Sequence, residues 1–325
     1  MVFSLKKYPA SCRRSLPQIL FAGILIATGS VRAIPTRVIL VNSAPRVEYE
    51  QTTGAIISSL EQSGLDLTVE KLIFNDPSTS EDEFWNKVIE KQPELIITMG
   101  TPATRSAIEN TENIPIIFTV VLDNIGDLSQ KSNFSDIAGI TLEIPVRKQL
   151  EMMHSALPDI RRVGFIYSSS SEQVYQTARN IMNEMDLRLV GVRIAGERDI
   201  PSALRRIISE VDVLWMPPDA VIYLQPNILR FILLECYKNS VPIMAVSKRI
   251  AIAGTPLSLG IDYEDIGRQT AELVLKRLSG EPFQKLVVEH PQKVLLFINE
   301  GVASRLGLSI PPNIIEQSIP VQSWR

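Results

Sequence analysis

Residues 95–123, LIITMGTPATRSAIENTENIPIIFTVVLD, decide the fold. Leu95 to Met99 is a short apolar run of the kind that forms a strand buried on both faces of a parallel sheet. Gly100 ends it, Thr101 suits a helix N-cap, and Pro102 suits the first helical turn. Ala103 to Asn110 completes one short helix, and Ile114 to Val121 is a second β-branched run. Strand, helix, strand is one crossover unit of a parallel sheet. Such a unit puts Gly100, Thr101, Ala103 and the unpaired N–H groups of the helix start at the C-terminal edge of the sheet. Open α/β sheets bind their ligands at that edge, and a helix start suits a carboxylate. The second strand carries Thr119 and Asp123 to the same edge. The plainer alternative is that Thr101 only caps and Asp123 only opens a turn.

Elements of the same kind extend in both directions. Arg37 to Asn42 and Asp66 to Phe74 read as strands, Pro45 to Ser63 and Glu81 to Lys91 as helices. A second series starts at Arg161, with strands at 162–167, 187–194, 211–216 and 242–246 and helices at 172–185, 201–209 and 222–238. The two series match. RVILVNS (37–43) parallels RVGFIYS (162–168), and DLTVEKLIF (66–74) parallels DLRLVGVRI (186–194). ELIITMG (94–100) parallels DVLWMPP (212–218), and IPIIFTV (114–120) parallels VPIMAVS (241–247). The offsets stay between 118 and 127 residues, so one βα-sheet domain is written twice. The expected architecture is α/β: two doubly wound parallel-sheet lobes joined by a three-strand hinge, with a cleft where the strand ends meet. Residues 34–142 and 262–281 are assigned to the N-terminal lobe, and 143–261 and 282–325 to the C-terminal lobe. The crossings are placed near Thr141, near Asp262 and at residues 281 to 286.

Composition narrows the function. The 325 residues are 45% hydrophobic and 21% charged, enough for two globular lobes. Residues 1–33 read as a cleaved export signal, with Lys6, Lys7, Arg13 and Arg14 before the apolar Leu16 to Thr28 and small residues at Val31-Arg32-Ala33. The alternative is a retained N-terminal anchor. Cleavage after Ala33 removes five basic residues and no acidic one, taking the net charge from −3 to −8. That argues against nucleic acid as a partner. Only Cys236 then remains, so no intramolecular disulfide can form.

Spread along the chain, GTPATRSA (100–107), AGIT (138–141), KQLEMMHSALPDIRRVGFIYSSSSE (148–172), PPDAVI (217–222), SLGIDYEDIGRQTAELVLKRLSGE (258–281) and INEGVASRLGLSIP (298–311) carry a resemblance. In order and spacing they resemble the substrate-binding proteins of ABC transporters with the type I periplasmic-binding fold, and the subfamily that includes tryptophan and tyrosine binders. The chain departs from that pattern at Asp123-Asn124, Asp136 to Gly139 and Tyr167-Ser168-Ser169, which leaves the ligand's identity open. The resemblance implies a periplasmic monomer without cofactor or metal that closes on an amino acid or similar zwitterion and delivers it to an inner-membrane permease.

For the ligand, Thr101 and nearby N–H groups are expected to take the carboxylate and one or more of Asp123, Asp219 and Asp262 the ammonium. Ser169, within the serine run 168–171, Thr141, Tyr167 and Ser247 complete the candidate set. For each the plainer role is capping, packing or solvation; Trp215, alternating with Val211 and Val213, reads as core. His154 and His290 are the two histidines, neither at metal-ligand spacing, and no phosphate loop, dinucleotide fingerprint or nucleophile elbow occurs. A DNA-binding regulator with the same two lobes would need a headpiece before the first strand, where the export signal stands. A sensor domain that signals to a membrane partner needs the same closing cleft and is the alternative to transport.

Overall fold

A computed structural model describes residues 35–74, 79–122, 136–223 and 226–322. The crossover unit at 95–121 forms as expected: β3 (Leu95–Met99), α3 (Thr101–Asn110) and β4 (Ile116–Val121). Both strands are buried at every position. Around them lie β1 (Thr36–Asn42), α1 (Val47–Gln62), β2 (Leu67–Ile73), α2 (Glu81–Glu90) and β5 (Ile137–Thr141). Val38, Leu40, Leu95 and Ile97 face one apolar cluster, and Ile39, Val41 and Ile96 face another. The alternation is that of a sheet covered on both sides.

The second lobe repeats the plan: α4 (Val146–Ala156), β6 (Arg162–Tyr167), α5 (Glu172–Glu184), β7 (Arg188–Arg193), α6 (Ile200–Ile207), β8 (Val213–Met216), α7 (Ala220–Tyr223), α8 (Pro226–Lys238), β9 (Ile243–Ala245), α9 (Lys248–Ala253) and β10 (Leu257–Ile261). Helix α9 was not anticipated; its six residues, between Ser247 and Gly254, are too few to show a period. The chain then returns through α10 (Tyr263–Leu278), β11 (Val287–Glu289), β12 (Val294–Ile298), α11 (Glu300–Arg305), α12 (Pro312–Gln317) and β13 (Ile319–Pro320).

The sheet orders are β11-β5-β4-β3-β1-β2 and β13-β12-β10-β9-β8-β6-β7. Read from β2 and from β7, the first five strands take the same places in both sheets, which is the internal duplication in three dimensions. Among the described residues all strand pairings are parallel except β10 with β12.

The crossings differ from the expectation at one point. The chain leaves the first sheet after β5, near Thr141, and returns between β10 and α10, near Asp262. The third crossing does not lie at 281–286. Strand β11 pairs with β5, and Phe283 packs in the first lobe's core, so the chain stays in the first lobe through Glu289. It crosses at residues 290–293 before β12 joins the second sheet. The run 287–298 looks like one strand because both halves are apolar; Pro291 divides it.

Helix α10 is what makes the return stable. Gly267 lets it lie against α1, where an added Cβ would meet Ala55 and the Thr52 carbonyl at 2.6 Å. The Thr52 hydroxyl donates to the Tyr263 carbonyl at 3.2 Å. At the far end Arg277 pairs with Asp136, at the start of β5. Cys236 is buried and its thiol is pushed up to about 12 by burial, so it packs as an apolar group.

Candidate functional site

The C-terminal ends of β8, β9 and β10 in the second lobe, and the segments after β4 and β5 of the first, border one cavity of about 760 Å³. From the first lobe it takes Val47, Glu48 and Gln51 at the start of α1, then Leu122, Leu142 and Ile144. From the second it takes Pro218, the Val246–Arg249 segment and Ile252, with Leu295 and Phe297 behind. Gly260 to Glu264 and Lys293, on two of the crossings, complete it. Gly260 is needed here because an added Cβ would strike the Phe297 ring. Lys248 in turn sits over that ring at 5.6 Å.

The charged lining is balanced: Lys248, Arg249 and Lys293 against Glu48, Asp262 and Glu264. Asp262 is the best-defined of these groups. Its Oδ1 accepts from the Glu264 and Asp265 N–H groups, both at 3.1 Å, so it is the N-cap of α10. Its Oδ2 lies 2.7 Å from Lys293 Nζ. Burial pushes the carboxyl up, but the Lys293 hydrogen bond, the Asp265 N–H and the Lys293 charge outweigh it and hold the group below the usual aspartate value. Lys293 is held above its ordinary value by the same partner.

Of the expected site residues, Ser247 and Asp262 line this cavity. Ser247 is held by Ser258, whose Oγ accepts from the Ser247 N–H at 3.0 Å and donates to its carbonyl at 2.8 Å.

At the start of α3 the cap is Gly100, with φ of +88°, and Thr101 is the first helical residue rather than the cap. Glycine is required there, because a Cβ would run into the Tyr49 hydroxyl. Much of the donor capacity of this helix start is already used. Ser43 Oγ accepts from the Ala103 N–H at 3.0 Å, the Gly100 carbonyl accepts from Thr104 at 3.2 Å, and Pro102 has no N–H. Ser43 was not singled out from sequence; its place at the end of β1, beside Gly100, comes only from the pairing of β1 with β3. Thr101 Oγ1 accepts from the Leu122 N–H at 3.4 Å, which places it next to the cavity wall. Thr119 is fully buried, its hydroxyl 2.9 Å from that of Thr270 on α10. Asp123 lies outside the described residues.

The remaining members fall elsewhere. Thr141 is buried at the first crossing, with its Oγ1 3.2 Å from His290 Nδ1 on the third. Tyr167 stacks on Tyr175 with centroids 4.2 Å apart, within the second lobe's core. Ser169 is exposed at the start of a single helical turn. Asp219 is 3% exposed, and both its oxygens are occupied. Oδ2 accepts from the Ser168 N–H at 2.9 Å and from the Ser168 and Ser171 hydroxyls, and Oδ1 from the Val221 N–H at 2.9 Å. Burial raises this carboxyl, and the bonds from Ser171, Ser168 and Val221 more than compensate. Asp219 therefore ties the loop after β6 to α7. Trp215 is core, with its indole N–H donated to Gln149 at 3.1 Å.

Two further observations bear on the chemistry. Among the described residues no group of His, Cys, Asp and Glu is arranged to hold a metal ion, and no helix is long and apolar enough to cross a membrane.

Comparison with known proteins agrees with this architecture. A tyrosine-binding protein of Clostridioides difficile is 25% identical over 240 residues, covering 72% of this chain and 68% of its own. Among solved structures, the ligand-free, open form of a substrate-binding protein with adhesive properties from Clostridium difficile superposes with a TM-score of 0.74. It shares 19% identity and covers 89% of this chain and 100% of its own. An ABC domain from Streptococcus pneumonia in complex with L-Trp has a TM-score of 0.58 at 20% identity, over 89% of this chain and 100% of its own. The fold is thus that of the periplasmic binding proteins: two mostly parallel sheets flanked by helices. The profile of the family described as ABC transporter substrate binding protein matches residues 49–321, and the chain belongs to that family.

Proposed function

We propose that this chain is an exported, extracytoplasmic solute-binding protein that closes on a free amino acid and delivers it to an ABC-type permease. The observation that carries the reading is the cavity between the lobes, with its balanced charge and apolar walls. Val47 is 72% exposed and Leu122 77% exposed, and both face it. Large apolar side chains left in water at a cavity wall mark a surface that a ligand or a closing lobe covers. A zwitterionic head and an apolar side chain suit such a lining better than a sugar, which would ask for many neutral polar groups. The names of the relatives, a tyrosine-binding protein and an L-Trp complex, favour an amino acid with an aromatic side chain.

Movement is concentrated at the three crossings, where few residues connect the two lobes, each packed on both faces of its sheet. Closure about them forms the surface that a permease reads. Small-angle scattering of the purified chain with and without saturating L-tyrosine tests this. The reading expects a smaller radius of gyration on addition of the amino acid; an unchanged radius together with no detectable binding contradicts it.

A further inference from the structure

We propose that Lys293 is a ligand-binding residue. With Asp262 it forms a receptor for the zwitterionic head of an amino acid, Lys293 holding the carboxylate and Asp262 the ammonium. The assignment rests on the amino-acid reading above and deepens it.

The geometry is that of an ion pair with capacity to spare. Asp262 Oδ1 is spent on the two helix N–H groups, while Oδ2 has one partner, Lys293 Nζ at 2.7 Å. A carboxylate oxygen accepts two hydrogen bonds, and an ammonium donates three. Oδ2 thus has room for one more donor and Lys293 Nζ for further acceptors. Both side chains line the cavity. The Asp262 side chain is 16% exposed and that of Lys293 56% exposed, so the carboxylate is fixed in the wall and the ammonium reaches into open space.

An amino acid joins its own ammonium and carboxylate through a single carbon, so its two charges are as close as those of the pair. Docked head to tail, each of the four charges gains a second opposite neighbour. Charge-assisted hydrogen bonds of this kind are the strong ones. A simple anion would meet Asp262, and a simple cation Lys293. The pair therefore binds a ligand that lacks either half of the head more weakly, and specificity arises from repulsion as well as attraction.

The surroundings support this place over the start of α3. There Ser43 already takes the Ala103 N–H and Pro102 offers none, which leaves little to hold a carboxylate. The other charged lining residues, Glu48, Lys248, Arg249 and Glu264, are solvent-exposed, whereas the Asp262 carboxylate is fixed in the wall. Asp265 accepts from the Lys293 N–H at 3.2 Å and pairs with Arg268 at 3.2 Å. Apolar Leu142 and Ile144, in the same lining, leave room for the ligand's side chain. Asp262 begins α10 in the first lobe and Lys293 leads into β12 of the second. The head of the ligand would thus sit on two of the three crossings.

Titration calorimetry with L-tyrosine, tyramine and 3-(4-hydroxyphenyl)propionate tests the assignment. Lys293→Met should weaken L-tyrosine at least tenfold and leave tyramine unchanged or tighter. Asp262→Asn should weaken both amine-bearing ligands and spare the propionate. Lys293→Arg should keep most of the affinity for L-tyrosine. If Lys293→Met does not fold, Lys293→Gln carries the same comparison. An equal loss for L-tyrosine and tyramine, or no loss for either, overturns the assignment and leaves the amino-acid reading standing. Wild-type protein that binds none of the three overturns both.

Discussion

Gly100 shows how much a single residue decides. It ends β3, takes φ of +88° and leaves space for the Tyr49 hydroxyl. Gly100→Ala should therefore cost at least about 1 kcal/mol, from backbone strain and the displaced tyrosine together. Urea denaturation checks this; a variant with the wild-type midpoint would contradict it. Asp219 is a second such residue. Asp219→Asn keeps the shape but turns an acceptor into a donor facing hydroxyls and N–H groups, and should cost about 1–3 kcal/mol. Its carboxyl is held below the aspartate value of 3.8 in the folded chain. That contribution is complete above about pH 3.8 and is lost as the pH falls through the lower folded value. Stability followed from pH 7 to pH 3 should be flatter at the acid end in Asp219→Asn than in wild type; parallel curves would show that the carboxylate does not matter. At this scale the sequence was partly legible. Glycine after a strand and a serine run before a helix announce their conformations. Ser43 and Lys293 announce nothing, because each acquires its partner only when distant strands or crossings are brought together.

Elements were easier to read than their edges. β3, α3 and β4 follow from apolar runs and a glycine, and the two halves of the chain could be aligned because each strand kept its place in the repeat. The third crossing was less legible, because an apolar pattern does not state which sheet a strand joins; β11 and β12 look alike and go to different lobes. Helix α10 carries the sharpest test at this scale, since its N-cap is also a cavity residue. Asparagine caps helices as well as aspartate does, and alanine does not. Asp262→Ala should lose about 1 kcal/mol of stability and at least tenfold in binding, about 1.4 kcal/mol. Asp262→Asn should stay within a few tenths of a kcal/mol of wild type in stability and lose binding alone. If both variants bind as well as wild type, Asp262 is only a cap. The segment 290–293 is fastened to the same helix, with Gln269 donating to the His290 carbonyl at 3.3 Å and accepting from the Gln292 N–H at 3.1 Å. Gln269→Ala should speed amide hydrogen exchange at Gln292 while β3 and β4 stay protected.

At the scale of the whole molecule, two lobes each packed on both faces of its sheet, three short connections and a cavity lined from both sides belong together. The duplication explains the arrangement: one sheet binds at its C-terminal edge, and two such sheets brought edge to edge enclose what either alone would leave half in water. That much was legible from the repeat. Which residues meet in the cavity was not, because the lining draws on the start of α1, on α9 and on two crossings, and depends on how the lobes are set. The most direct test of the account is a thermal-shift screen of the purified chain against free amino acids, sugars, nucleosides and small organic anions. A ligand at about one hundred times its dissociation constant adds roughly 2.7 kcal/mol and raises the melting temperature by several degrees. A rise is expected with aromatic or other free amino acids, and a smaller one with their decarboxylated or deaminated analogues. A rise confined to sugars, nucleosides or simple anions would contradict it.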